Sequence, residues 1–287
     1  MHVEEGRTAG GVAYTVRGSG PPLLWMSGYA VPVAAFDAVL EELADAFTII
    51  AVDHRGSGTS STRLRPTTTG TMASDAVSVL DRLGIGSAHV VGASLGGMVA
   101  QEVAIGWPHR VRTLVLCSTT AGGPGAKTPP AREILNELKA TARRVPGGVR
   151  VRSLGALHQT AAASSHDATR RLHRIQAPTL VLHGLEDELV PVANATWLAS
   201  RISSAKMRVI RGGTHLLVLE SPAACKALRA WLEEHLDQVP GVALSARERL
   251  SYQAAAPYRA LLGQTLPLRR AIRAGSRLLK KLSPTSS

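Results

Sequence analysis

The stretch Ala88-His89-Val90-Val91-Gly92-Ala93-Ser94-Leu95-Gly96-Gly97 joins a short apolar run to the start of an amphipathic one. Ala88–Val91 reads as a strand buried on both faces, and Ser94–Gly106 has a helical period. Between them, Gly92–Gly96 fits the pattern G-x-S-x-G. A serine on a sharp strand-to-helix turn projects its hydroxyl above a sheet, and flanking glycines leave room for the strained backbone. The helix that follows brings oriented N–H groups and the positive end of its dipole to the same place. The bare pattern is common in a chain rich in Gly and Ser. Its position between a strand and a helix is what gives it weight.

The same alternation extends outward from this turn. Apolar runs recur at Pro22–Met26, Phe47–Val52, Thr113–Cys117, Thr179–Leu182 and Met207–Ile210. Stretches of helical period separate them at Val33–Ala46, Met72–Leu83, Ala193–Ile202 and Ala223–Leu236. Strand alternating with helix predicts a three-layer α/β fold around a mostly parallel central sheet. Gly11–Arg17 alternates apolar and polar residues and is expected to form an antiparallel edge strand. The pattern breaks between Thr119 and Gln176 and resumes at Ala177-Pro178. Residues 122–176 therefore read as a short helical cap, with helix-like pieces at Ala131–Arg144 and Ala168–Arg174, inserted into a core made of residues 1–121 and 177–239. Residues 240–287 follow as a basic amphipathic C-terminal extension.

Composition bounds what the chain can be. Apolar residues make up 45% of its 287 residues but aromatics only 3%, so the core is aliphatic. Two cysteines, Cys117 and Cys225, exclude a disulfide scaffold and any zinc site needing three or four thiolates. The opening residues lack the basic-then-apolar order of a signal peptide, and no run approaches the roughly 18 apolar residues of a membrane span. The expected location is the cytoplasm.

Lys and Arg number 33 against 21 acids, a net charge of +12 that invites a nucleic-acid reading. Partition removes it. Residues 124–176 carry ten bases and three acids, residues 240–287 nine bases and one acid, and the remainder is net −3. The core is mildly acidic, aromatics are scarce, and no nucleic-acid motif is present, so no nucleic-acid partner is expected. In the extension, Leu266, Leu268, Ala271, Ile272, Leu278, Leu279 and Leu282 fall largely on one helical side and Arg269, Arg270, Arg273, Arg277, Lys280 and Lys281 mostly on the other. Such a helix can meet an anionic surface or an acidic protein. The plainer alternative is a helix packed on the core with its charges solvated.

A serine hydroxyl needs a base to take its proton. His215 stands out, in Gly212-Gly213-Thr214-His215 after the last apolar run, where glycines allow a loop to fold back over the sheet. His183, in His183-Gly184, reads as support for a turn. A third group must orient the imidazole. The loop Gly184-Leu185-Glu186-Asp187-Glu188 offers three carboxylates. The alternative position, after Thr113–Cys117, holds only Ser118, Thr119 and Thr120. An oxyanion hole needs two donors. The candidates are the backbone N–H groups of Leu95 and of Tyr29, the latter in Ser27-Gly28-Tyr29.

With these motifs together, the stretch from Gly11 to Leu236 resembles the α/β-hydrolase superfamily. It carries Ser27-Gly28-Tyr29 in place of the family's oxyanion His-Gly-x, and Asp53-His54-Arg55-Gly56-Ser57-Gly58-Thr59-Ser60 for its D-x-R-G-x-G-x-S turn. Gly92–Gly96, Gly184–Asp187 leading to Val190-Pro191, and Gly213-Thr214-His215 follow in the family's order. The resemblance is to small bacterial serine esterases, enol-lactonases and intracellular polyhydroxyalkanoate depolymerases. It implies a Ser94–His215–Asp187 triad, with Asp187 as the acid, and Asp53 and Arg55 as structural turn residues. It implies a carboxylic ester, lactone or polyester substrate, with no metal or cofactor. Carbon–carbon bond hydrolysis, perhydrolysis and a non-catalytic ligand-binding role are the alternatives on the same fold.

Overall fold

Leu23, Leu24, Trp25 and Met26 are fully buried, on a strand that is paired on both sides. That strand, β3 (Pro22–Met26), lies inside the sheet of the computed structural model, which describes residues 3–62, 67–130, 132, 139, 142–146 and 153–240. The other strands are β1 (Val3–Arg7), β2 (Ala13–Arg17), β4 (Thr48–Val52), β5 (Ala88–Ala93), β6 (Val111–Cys117), β7 (Thr179–Gly184) and β8 (Ala205–Ile210). They form one sheet in the order β1-β2-β4-β3-β5-β6-β7-β8. The β1/β2 and β2/β4 pairs are antiparallel and the rest parallel.

Successive side chains on a strand point to opposite faces, so a continuously apolar run feeds two cores at once. Leu24, Ile50, Val90, Leu114 and Val181 join one cluster, with α2 (Thr69–Arg82), α3 (Leu95–Gly106) and α5 (Ala193–Arg201). Leu23, Ile49, Val91, Val115 and Leu182 join the other, with α1 (Asp37–Leu43), α6 (Leu217–Glu220) and α7 (Pro222–Glu234). The result is the expected three-layer α/β architecture. Among the described residues, no helix is long and apolar enough to cross a membrane.

The structure corrects several expectations. The antiparallel strand within Gly11–Arg17 is second from the edge; β1, Val3-Glu4-Glu5-Gly6-Arg7, lies outside it. β1 is mostly exposed, so its sequence carries no apolar alternation. β8 is also an edge strand, with Lys206, Met207 and Arg208 exposed, and is not buried on both faces. Val33–Ala46 is broken: Val33–Phe36 forms a 3₁₀ turn before α1 begins at Asp37. Ala168–Arg174 contributes a single 3₁₀ turn, Leu172–Arg174. The Ala131–Arg144 piece falls largely outside the described residues, as does the extension 240–287 beyond Pro240.

Between β6 and β7 lies a helix that the sequence pattern did not announce, α4 (Ser153–Ser164). It packs through small and polar groups. A Cβ on Gly155 would fall 2.6 Å from the Gly56 backbone, and Gln159 is fully buried. Gln159 Nε2 donates to Arg55 O at 3.0 Å and its Oε1 accepts from Ala30 N–H at 2.8 Å. The turn it rests on is fixed in place. Asp53 Oδ1 accepts from Val33 N–H at 2.9 Å and Oδ2 from Thr59 N–H at 3.0 Å. Arg55 pairs with Asp75 and donates to Gly10 O at 2.8 Å.

Gly155→Ala should force α4 off the Gly56 backbone and cost about 1–3 kcal/mol, as overpacking does. Gly106→Ala, at the end of α3 with open space around it, should be neutral or stabilise by about 0.5 kcal/mol. Urea melts of the two variants check this, and equal midpoints would contradict it.

Candidate active site

Ser94 occupies the turn between β5 and α3 with φ 53° and ψ −117°, a left-handed conformation costly for a residue with a Cβ. The turn closes only because its neighbours are bare. A Cβ on Gly92 would lie 2.3 Å from Gly96 O, one on Gly96 2.2 Å from Met26 O, and one on Gly97 2.6 Å from Thr119. Ser94 N–H donates to Cys117 O at 2.9 Å, and Thr119 Oγ1 donates to Ser94 O at 2.7 Å. The peptide of Ser94 is therefore tied to the end of β6 on both sides.

Two further loops at the same sheet edge carry the other groups. Asp187 follows β7 and His215 follows β8. The loops are stitched together, with Glu186 N–H donating to Gly213 O at 2.9 Å and Leu185 N–H to Ile210 O at 3.0 Å. Gly184 has no room for a side chain, because its Cβ would sit 2.2 Å from Gly213 O. Ser94 Oγ donates to His215 Nε2 at 3.0 Å. His215 Nδ1 donates to Asp187 at 3.0 Å from Oδ2 and 3.1 Å from Oδ1. Of the three acids in the loop, Asp187 is buried while Glu186 and Glu188 are exposed.

Asp187 is well supported as an anion. Burial works against its charge, but hydrogen bonds from His183 and His215, and from Val190 N–H, outweigh burial and hold its carboxyl below the usual carboxylate range. Oδ1 also accepts from Leu189 N–H at 3.1 Å and Val190 N–H at 2.8 Å. His183 Nε2 donates to Val190 O at 2.7 Å and lies 3.3 Å from Asp187 Oδ2, so it braces the acid's loop.

The two expected oxyanion donors are close to Ser94. Leu95 is the first residue of α3, where a helix leaves its N–H without an intrahelical partner. Tyr29 lies on the loop after β3; a Cβ on the preceding Gly28 would come within 3.3 Å of Ser94 Cβ. Ala30, next along, has φ 60° and is pinned by Gln159. Ser94 opens onto two cavities. One of about 480 Å³ is lined by Leu95, Tyr29 and Met98 and by residues of the segment between β6 and β7. The other, of about 60 Å³, is lined by His215, Val31, Phe36, Val218 and Leu219. A hollow of about 620 Å³ at the β1–β2 edge holds none of these groups.

Several polar residues of the larger cavity were missed by sequence reasoning, His166 among them. His166 lines this cavity, buried, with Nδ1 3.0 Å from Thr69 Oγ1 and, among the described residues, no partner at Nε2. No motif surrounds it in the sequence, so no signal marked it. Among the described residues, no three His, Cys, Asp or Glu side chains converge to hold a metal ion.

With this geometry in place, comparison with known proteins is direct. The alpha/beta hydrolase fold family matches residues 21–170. The chain belongs to the α/β-hydrolase family. A serine aminopeptidase S33 family also matches residues 137–222. The poly(3-hydroxyalkanoate) depolymerase of Ectopseudomonas oleovorans is 30% identical over 74% of this chain and 84% of its own. The 3-oxoadipate enol-lactonase 2 of Acinetobacter baylyi is 26% identical over 71% of this chain and 85% of its own. The crystal structure of a hydrolase from Pseudomonas aeruginosa superposes with a TM-score of 0.68 at 26% identity, covering 82% of this chain and 98% of that one. The chain is an α/β-fold hydrolase.

Burial lowers the pKa values of His54, His89 and His166 from 6.5 to about 4. Between these values the unfolded chain binds protons that the folded chain does not, so stability should fall as pH drops from about 6.5 to about 4. Urea midpoints across this range check the sign. The slope should be shallower in His54→Gln, whose Nε2 donates to Ser27 O at 3.0 Å in the parent.

Proposed function

We propose that this hydrolase cleaves a carboxylic ester by acyl transfer through Ser94. The observation that carries the reading is the unbroken line of hydrogen bonds from Ser94 Oγ through His215 to the Asp187 carboxylate. Relatives named as a depolymerase of a polyester and as an enol-lactonase support ester chemistry of this kind.

His215 Nε2 takes the Ser94 proton as Oγ bonds to the substrate carbonyl carbon. The carbonyl oxygen becomes an oxyanion between the N–H groups of Leu95 and Tyr29. As the tetrahedral intermediate collapses, the bond to the alcohol oxygen breaks and His215 returns the proton to it. Water, deprotonated by His215, then attacks the acyl-enzyme, and Ser94 leaves with the proton. Asp187 keeps the imidazole in the tautomer that accepts from Ser94 and stabilises its charged form. In this reading residues 122–176 act as the cap that covers the acyl group.

A fluorophosphonate should form an adduct on Ser94, located by mass spectrometry, and Ser94→Ala should lose hydrolysis of simple esters by about four orders of magnitude or more. A folded protein with no adduct on Ser94 would reject the mechanism. Gln159→Leu should release Ala30 and the loop bearing Tyr29. Its kcat should fall about ten-fold or more, the scale of a weakened oxyanion donor, while Ser94 still labels. An unchanged kcat would show that the loop holds its place without Gln159.

A further inference from the structure

The two cavities that meet at Ser94 are unequal, and their placement assigns the two halves of the ester. The leaving oxygen must come within reach of His215, which protonates it. His215 lines the small cavity and not the large one. The alcohol therefore belongs in the small cavity, between Phe36 and Leu219, and the acyl chain in the large one. At about 60 Å³ the first has room for only a short alkyl group.

The large cavity has apolar walls, among them Met98, Ala126, Ala163 and Val190. Among the described residues no acid lines it, and one permanently charged side chain does, Lys127. The backbone at Lys127 is fixed in place, and the side chain it carries is exposed at the cavity's edge. The side chain of Asn194, which is 1% exposed, is spent on it. Asn194 Oδ1 accepts from Lys127 N–H and Nδ2 donates to Lys127 O, both at 2.9 Å. Thr120 Oγ1 donates to the same Oδ1 at 2.9 Å. No acid lies within ion-pair distance of the Lys127 ammonium among the described residues. The segment in which it lies, residues 124–176, is net +7 in sequence.

We propose that the substrate is a half-ester of a dicarboxylic acid with a short alcohol. The free carboxylate of its acyl chain is held by Lys127, and the alkyl group sits beside His215. This assignment rests on the acyl-transfer reading of Ser94, and the two can fail separately.

The intact chain is first labelled with a fluorophosphonate; a folded chain without an adduct on Ser94 would overturn the acyl-transfer reading. Hydrolysis is then followed by pH-stat titration with monoethyl adipate and with ethyl hexanoate, neutral esters and half-esters of equal acyl length. At low ionic strength kcat/KM should favour the half-ester by about five-fold, the scale of one partly exposed ion pair, and the preference should shrink as salt is added. Lys127→Gln should bring the ratio close to one through KM, and Lys127→Arg should retain it. Monobutyl adipate should be the poorer partner of monoethyl adipate, and Leu219→Ala should narrow that gap. A labelled enzyme with no preference for the half-ester, or with a preference that survives Lys127→Gln, would overturn the proposal. So would equal rates on the ethyl and butyl esters.

Discussion

The left-handed backbone at Ser94 is the constraint on which the rest of the site depends. A non-glycine residue at φ 53° costs about 1–3 kcal/mol and persists only where its surroundings leave no alternative. Here they leave none. The residue is clamped between a buried strand and a buried helix, its N–H and C=O are both bonded, and the glycines at 92, 96 and 97 lie against backbone or against Thr119. The close approach of Gly96 to Met26 O draws the end of β3 against α3, and so sets the loop carrying Gly28 and Tyr29 over the hydroxyl. Strain at one residue is thus coupled to the packing of three elements, and the hydroxyl's position follows from the core.

The carboxylate side is held by different physics. A buried carboxylate is costly unless its lone pairs are filled. Asp187 fills them with two backbone N–H groups and two imidazoles. His183 ties together two ends of the same loop, at Asp187 and at Val190 O, so the acid is positioned from below by β7 before His215 reaches it from β8. The line of hydrogen bonds from Ser94 through His215 to Asp187 therefore joins three strand ends, each fixed on its own. Its 3.0 Å spacings are a property of the sheet edge as much as of the three side chains.

The central sheet was legible in the sequence because strands buried on both faces leave continuous apolar runs; Ser94, His215 and the loop of Glu186, Asp187 and Glu188 were legible because each follows an apolar run, and among the three acids only the resemblance singled out Asp187. The failures share one cause. Burial imprints a period only where it is one-sided or complete. β1 has water on most of its length and reads as Val-Glu-Glu-Gly-Arg, with no pattern to find. β8 keeps an apolar appearance through Met207 and Val209 although Met207 is 40% exposed, so its sequence reads like that of an inner strand. α4 docks through Gly155 and Gln159 while Leu157 is exposed, which reverses the apolar-in, polar-out code that reveals a helix. His166 is invisible for the same reason: its place in the cavity is decided by contacts with Thr69, far away in sequence.

The division of charge between core and insertion also acquires a physical meaning. The core is net −3 and residues 124–176 are net +7, which by itself suggests only a basic patch. In the structure, bases of the insertion reach acids of the core. Arg171 forks onto Glu102 of α3 at 2.7 Å through both nitrogens, and Arg144 pairs with Glu220 of α6 and donates to Thr214 Oγ1 at 2.9 Å. Thr214 precedes His215 in the chain. Each such pair is partly exposed and is worth no more than about 1 kcal/mol. Their placement matters more than their strength. One joins the segment between β6 and β7 to α3, the helix that follows Ser94, and the other joins it to α6 and to Thr214 beside His215. Among the described residues, Lys127 lines the cavity and no acid does.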